Sequence, residues 1–261
     1  MASYSGRGLH GQTVEAVANM IFTGEFSEED GIDVAGLQDR LGVSSTALRE
    51  ALKVLAAKGL ISARPKRGTF VRPRADWNLL DGDVIRWKFA AGPDDAFLRD
   101  LHEIRCIIEP SVAGLAAQRR DAAQLAALQK ALERMDRARG NVDATTAADL
   151  EFHRELLVAS GNELLIRMDV MMGAGLASRD ALVHSAAGTA DAVPSHRAVL
   201  EAIRAGDAGA AEEAMRALLL QSWRDLDRVR GEHRVRGEDR VRGEDHANPR
   251  TEREDRGREQ E

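Results

Sequence analysis

Cysteine is nearly absent from this chain of 261 residues; the single one is Cys106. That excludes an internal disulfide framework and fits a reducing compartment, with Cys106 expected as a small core residue. Aromatic residues make up only 4% while Ala and Leu abound, a balance that favours helices over a β-sandwich. No apolar run approaches the ~18 residues of a membrane span, and the N-terminus lacks a signal-peptide core, so the expected protein is soluble, cytoplasmic and without a membrane partner. Catalytic signatures are missing too: there is no glycine-rich phosphate loop after a strand, no nucleophile elbow and no paired thiols. The expectation is therefore a protein that is not an enzyme.

What is present is a compact pattern from Val34 to Arg72. Val34, Leu37 and Leu41 are spaced for one face of a short helix, and Gly42 is placed to end it. Ser44 and Ser45 then offer hydroxyls to the free amides of a second helix, whose positions Leu48, Leu52, Val54 and Leu55 face inward and whose end falls near Lys58 and Gly59. Its first turn leaves Ser45, Thr46 and Arg49 outward, where a helix laid in the major groove reaches base edges. Leu60–Ala63 and Thr69–Val71 read as strands joined by Arg64, Pro65, Lys66, Arg67 and Gly68, a hairpin with a basic tip. From Arg49 to Arg74 there are eight Lys or Arg against one acid, Glu50, although the whole chain carries a net charge of −6. A local positive patch of this kind is what phosphate neutralisation requires, so the pattern predicts a winged helix-turn-helix contacting double-stranded DNA.

At these residues, LGVSSTALREALKVLAAKGLISARPKRGTFVRP, the chain resembles the winged helix of GntR-superfamily bacterial transcription regulators. The remainder resembles their FadR-type (FCD) effector domain, and the resemblance spans about residues 9 to 226. It implies DNA contacts from Arg49 and from Lys66, Arg67 and Gly68 at the wing tip, with Arg64 beside them. The family usually has an Arg where this chain has Ser45, a departure that bears on operator sequence. WNLLDGDVIRW resembles the linker of a branch that includes galactonate-operon repressors, which implies a sugar acid or other small carboxylate as effector.

The predicted organisation is mainly α. A DNA-binding domain at 9–74 is followed by a linker at 75–95, where Trp77, Leu79 and Leu80 would dock between domains, and by an all-α bundle of about six helices at 96–227. The tail at 228–261 carries the hexads RVRGEH, RVRGED and RVRGED and is predicted to be disordered from its charge and regular glycines. Residues 75–227 hold 25 acidic and 17 basic groups, so nucleic acid should meet only the first domain.

In the helical part Asp149 and His153 stand four apart, which on a helix puts carboxylate and imidazole on one face within reach of one cation. The resemblance adds His196 and a fourth metal ligand 22 residues later, where this chain has Leu218. Three protein ligands, completed by water or the effector, still suit a divalent metal such as Zn²⁺; the competing reading makes Asp149 and His153 a surface pair and His196 a helix cap. Arg105 pairs with Glu109 one turn on or, as the resemblance implies, clamps an effector carboxylate. Asn162 is a helix-turn residue or, by the same resemblance, a position near the cavity. The expectation is a homodimeric repressor released by a small carboxylate; the rival classes are a metal-dependent hydrolase and a DNA binder indifferent to effectors.

Overall fold

The computed structural model describes residues 8–28, 31–64, 68–92, 95–173, 176–177, 183 and 191–245, with 232–245 described by backbone alone. The chain opens with α1 (Leu9–Phe22), a two-residue strand β1 (Gly31–Ile32), α2 (Val34–Leu41) and α3 (Ser45–Ala57), followed by the hairpin β2 (Ile61–Arg64) and β3 (Gly68–Val71). Local chemistry fixes the turn between α2 and α3. Asp33 caps α2 by accepting from the amides of Ala35 and Gly36, Gly42 ends it in the left-handed region (φ 62°), and the Ser44 hydroxyl accepts from the Ala47 amide at 3.2 Å. Leu48, Leu52 and Leu55 of α3 are buried against α1, each contributing about 1.5–3 kcal/mol relative to an exposed position.

The sheet has the order β1-β3-β2, all antiparallel, with Ile61 opposite Val71 and Gly31 opposite Phe70. Just before α2, Gly31 and Ile32 pair with β3. Ile32 supplies the buried side chain that holds this strand down. The wing tip, residues 65–67, lies outside the described residues.

The expected linker holds a helix. After a 3₁₀ turn at Arg74–Asp76, α4 (Gly82–Ala90) begins at Asp81, whose carboxylate accepts from the amides of Asp83 and Val84. Val84 and Trp87 join the core of the DNA-binding domain, whereas Ile85 and Phe89 join a second cluster with Met171, Met172 and Leu226. A linker free of both domains would expose these four apolar side chains. Trp77 packs edge-on against Phe22 and Leu79 joins the same core, but Leu80, read as a docking residue, is 70% exposed.

Further helices among the described residues include α5 (Asp95–Arg119), α6 (Ala122–Arg137), α7 (Val142–Ala159), α8 (Glu163–Arg167), α9 (Val193–Ala205) and α10 (Ala208–Asp245). Helix α5 packs on α10 and α7, α6 on α7, and α9 on α10, around a core that includes Phe152, Leu156, Leu200 and Met215. Cys106 is exposed on the outer face of α5, off the buried stripe of Leu98, Leu101, Arg105 and Glu109, which corrects the core reading. Helix α8 gives way to a turn at Met168, residues 169–173 and 176–177 are helical again, and residues 174–175 and 178–182 lie outside the described residues. The tail also differs from expectation: α10 continues through the hexads to Asp245. Leu226 and Val229 are buried, so the helix is already nucleated there, and adding Arg and Glu, good helix formers, fixes one residue at a time. Residues 246–261 lie outside the described residues.

The two halves meet at Lys58, just past α3. Its ammonium lies 2.7 Å from Asp81 and 2.8 Å from Asp83, and only 16% of its side chain is exposed. Replacing it by Met takes a charged partner from two carboxylates, and Asp83 is buried. Lys58→Met should lower stability by about 1–3 kcal/mol in denaturant unfolding; a variant as stable as wild type would show that the contact stabilises nothing.

Candidate functional site

On the DNA-binding domain, Ser45, Thr46 and Arg49 all lie exposed on the first turns of α3. Arg64 ends β2 exposed, its guanidinium 4.8 Å over the buried Phe70 ring, and Gly68 opens β3 with φ 80°. The tip residues Lys66 and Arg67 lie outside the described residues. Glu50 pairs with Lys53 at 2.7 Å on the same helix, so Arg49 is the cation beside Ser45 and Thr46 that α3 offers outward without that neutralisation.

A second constellation is buried in the helical bundle. Helix α7 carries Asp149 and His153 one turn apart on its inner face, and the first turn of α9 brings His196 against them; the three are 3%, 6% and 2% exposed. Each offers a ligand atom, and these atoms lie within 4.8 Å of one another, a little over twice a ~2.1 Å metal bond. The surface-pair reading of Asp149 and His153 therefore fails on burial.

Hydrogen bonding tests whether a cation fits. His196 Nδ1 lies 2.8 Å from the Ala192 carbonyl, which can only accept, so Nδ1 carries the proton. Its Nε2 faces Asp149 Oδ1 at 2.9 Å, yet neither it nor His153 Nε2 has a hydrogen-bond partner among the described residues. Lone pairs of two buried imidazoles converge with a carboxylate, an arrangement that suits a divalent cation. At the expected fourth ligand position Leu218 is 4% exposed and lines the same pocket, leaving any ion three protein ligands.

Behind His153 stands a group that residue spacing did not single out as a partner of the site. Glu109 Oε2 lies 3.0 Å from His153 Nδ1, and its Oε1 accepts from Arg105 Nε at 2.6 Å. Burial would push the Glu109 carboxyl up, but the Arg105 guanidinium and the His153 imidazole outweigh it and bring it down to about 2. The carboxylate thus stays ionised and orients His153, as outer carboxylates do for metal-binding imidazoles. The spacing from 105 to 109 revealed the ion pair; its meeting with α7 needed the fold.

Arg105 lines a neighbouring cleft with Leu98, His102 and Trp223, separate from the pocket of Asp149 apart from the shared Ser222. Asn162 caps α8, its side-chain oxygen accepting from the Leu164 and Leu165 amides at 3.0 and 3.3 Å, and it does not line that pocket. Gln221 and Asp225, one and two turns beyond Leu218, do line it, and no motif had marked them. Because Glu109 is fully enclosed, Arg105→Met should destabilise the fold by about 3–5 kcal/mol, and adding Glu109→Leu should restore much of that loss. Thermal unfolding of both variants checks it; a double variant no better than the single one would refute the pairing.

Comparison with known proteins follows this division. The model of bacterial regulatory proteins of the gntR family matches residues 9–71, and the FCD domain matches residues 100–221. The chain is 29% identical over 197 residues to the galactonate operon transcriptional repressor of Escherichia coli K12, covering 75% of this chain and 86% of that protein. It is 31% identical over 210 residues to the HTH-type transcriptional regulator YieP of the same organism, covering 78% and 90%. The solved structure of Lar, which controls expression of the Listeria monocytogenes agr system, shares the fold at a TM-score of 0.59 with 16% identity, over 84% of this chain and 98% of that one. The chain belongs to the GntR family of bacterial regulatory proteins, with an FCD effector domain, and is a DNA-binding transcription regulator.

Proposed function

We propose that the chain is a homodimeric repressor whose grip on its operator is released by a small hydroxy acid held at the buried Asp149, His153 and His196 centre. The observation that carries this is the convergence of two unpartnered imidazole nitrogens and a carboxylate inside the regulator's effector domain. A divalent cation such as Zn²⁺, bound by these three residues, would supply positive charge for an effector carboxylate and hydroxyl, with Leu218 leaving room in the coordination shell. Glu109 holds the His153 ring, and the Ala192 carbonyl holds His196.

Binding of the effector and binding of DNA then oppose one another by reciprocal coupling. Two copies are required because one recognition helix covers few bases, whereas two-fold related half-sites multiply the affinity. Ser45, Thr46 and Arg49 read bases, while Arg64, Lys66, Arg67 and Gly68 approach the backbone. The repressor of the galactonate operon among its relatives supports both the direction of control and the acid class. A regulator of bacterial operon DNA would work where that DNA lies, in the cytoplasm.

Arg49→Ala should weaken binding to the DNA upstream of the protein's own gene by roughly 5- to 150-fold, the equivalent of about 1–3 kcal/mol for a base contact. Fluorescence anisotropy at fixed salt measures it, and unchanged affinity removes Arg49 from the interface. Purified protein should carry about one divalent ion per chain by elemental analysis, lost in His153→Ala. Metal-free wild type would end the cation reading while leaving DNA recognition in place.

A further inference from the structure

A cleft of about 300 Å³ lies where the winged domain meets the far end of α4, against about 30 Å³ at Asp149. That volume is at the lower end of what small-molecule sites offer, and neither the DNA contacts nor the buried centre uses it. Its apolar wall is Phe22, Phe26, Val71 and Trp77. Of the chain's six Phe and three Trp, three thus stand in one place. Each of these rings is only half-buried: part of its surface packs on the core of the winged domain, and the rest is left to the cleft. Phe22 meets Trp77 edge-on at 5.1 Å, and the Trp77 indole Nε1 donates to the Arg72 carbonyl at 2.8 Å. The wall is therefore ordered before any ligand arrives, which lowers the entropy lost on binding.

Charge enters the cleft from three residues. Lys88, in the last turn of α4, is 7% exposed, and its ammonium lies 4.9 Å from the centre of the Phe97 ring. The exposed Arg74 adds a second cation, and Glu28 adds a carboxylate whose Oε1 accepts from the Arg74 amide at 2.8 Å. Cations thus outnumber carboxylates among the described lining residues. A flat apolar body suits the aromatic wall, and one negative group suits the ammonium and guanidinium. A polyhydroxylated acid would leave that wall without an apolar partner.

We propose that this cleft is a second ligand site, for an aromatic monocarboxylate, with the ring among Phe22, Phe26 and Trp77 and the carboxylate on Lys88. The site is separate from the Asp149, His153 and His196 centre and does not rest on the reading given to that centre. Phe22, Val71 and Trp77 belong to the winged domain, while α4 carries Ile85 and Phe89 into the cluster shared with the helical domain. A molecule held here touches the joint between the two.

Calorimetric titration of the full chain with phenylacetate, in the presence of a chelator that removes divalent ions, tests the assignment. Wild type should bind one phenylacetate per chain. Phenylacetamide and phenethylamine, of similar shape but neutral and cationic, should bind at least about tenfold more weakly, the scale of a hydrogen bond to a charged group. Lys88→Met should cost phenylacetate a similar factor. Ser27 is exposed in the loop after α1 and lines the cleft, so Ser27→Trp should fill it and abolish binding while the melting temperature stays that of wild type. No binding of phenylacetate by wild type, equal binding of the three compounds, or affinity that survives both substitutions overturns the proposal. None of these results touches the reading of the buried centre.

Discussion

The Lys58 ammonium ties the end of the recognition helix to the start of α4. Lys58 sits where α3 ends and is held between Asp81 and Asp83 at the start of α4. Its carboxylate partners hold it charged in a place where burial opposes the charge. Arg86, one turn into α4, reaches back to Glu15 of α1 at 2.8 Å and to Asp83 at 3.3 Å. Helix α4 is thereby clamped to the winged domain by charge on one side while Ile85 and Phe89 bury themselves in the helical domain on the other. Gly82 lies so close to Val170 that an added Cβ would stand 2.7 Å from its side chain. A rigid helix shared by two cores is a physical route by which one domain's state constrains the other's orientation.

The helical domain obeys a different constraint: charge is buried and has to be matched group by group. Arg105, Glu109, His153, Asp149 and His196 run as a chain of buried charged and polar groups through α5, α7 and α9. Such a chain is stable only if each member stays with its partner, since an isolated buried charge is far more costly than a pair. The end at Arg105 closes on itself through Glu109. The other end, at the two imidazole nitrogens, is where a cation has a reason to bind. The same pocket then changes character within two turns of α10, from leucine to amide and carboxylate.

Much of the first domain was legible from spacing. Asp33, Gly42 and Ser44 determine where α2 and α3 begin and end through hydrogen bonds to residues two to four away, and such contacts can be read off a sequence. The hairpin was visible for the same reason, its strands being separated by a short basic turn. Strand β1 was not, because Gly31 and Ile32 pair with Thr69 and Phe70, some forty residues distant. Helix α4 was read as linker because its apolar residues point to two different cores and so do not make one clean face. For the tail, the glycines and charges of the hexads indicated disorder, whereas the helix there grows out of a docked segment ending at Leu226 and Val229.

The sequence by itself determined the recognition helix, its exposed Ser45, Thr46 and Arg49, and the pairing of Asp149 with His153 on one helical face, since each depends on contacts within a turn or two of chain. It also determined that Leu218 cannot ligate an ion. Only the tertiary structure decided that His196 meets that pair, that Glu109 stands behind His153, that Arg105 opens on a neighbouring cleft, and that Gln221 and Asp225 share the pocket. These are contacts between helices far apart in the chain. Their register is set by the packing of whole apolar faces, which residue spacing along one helix does not encode.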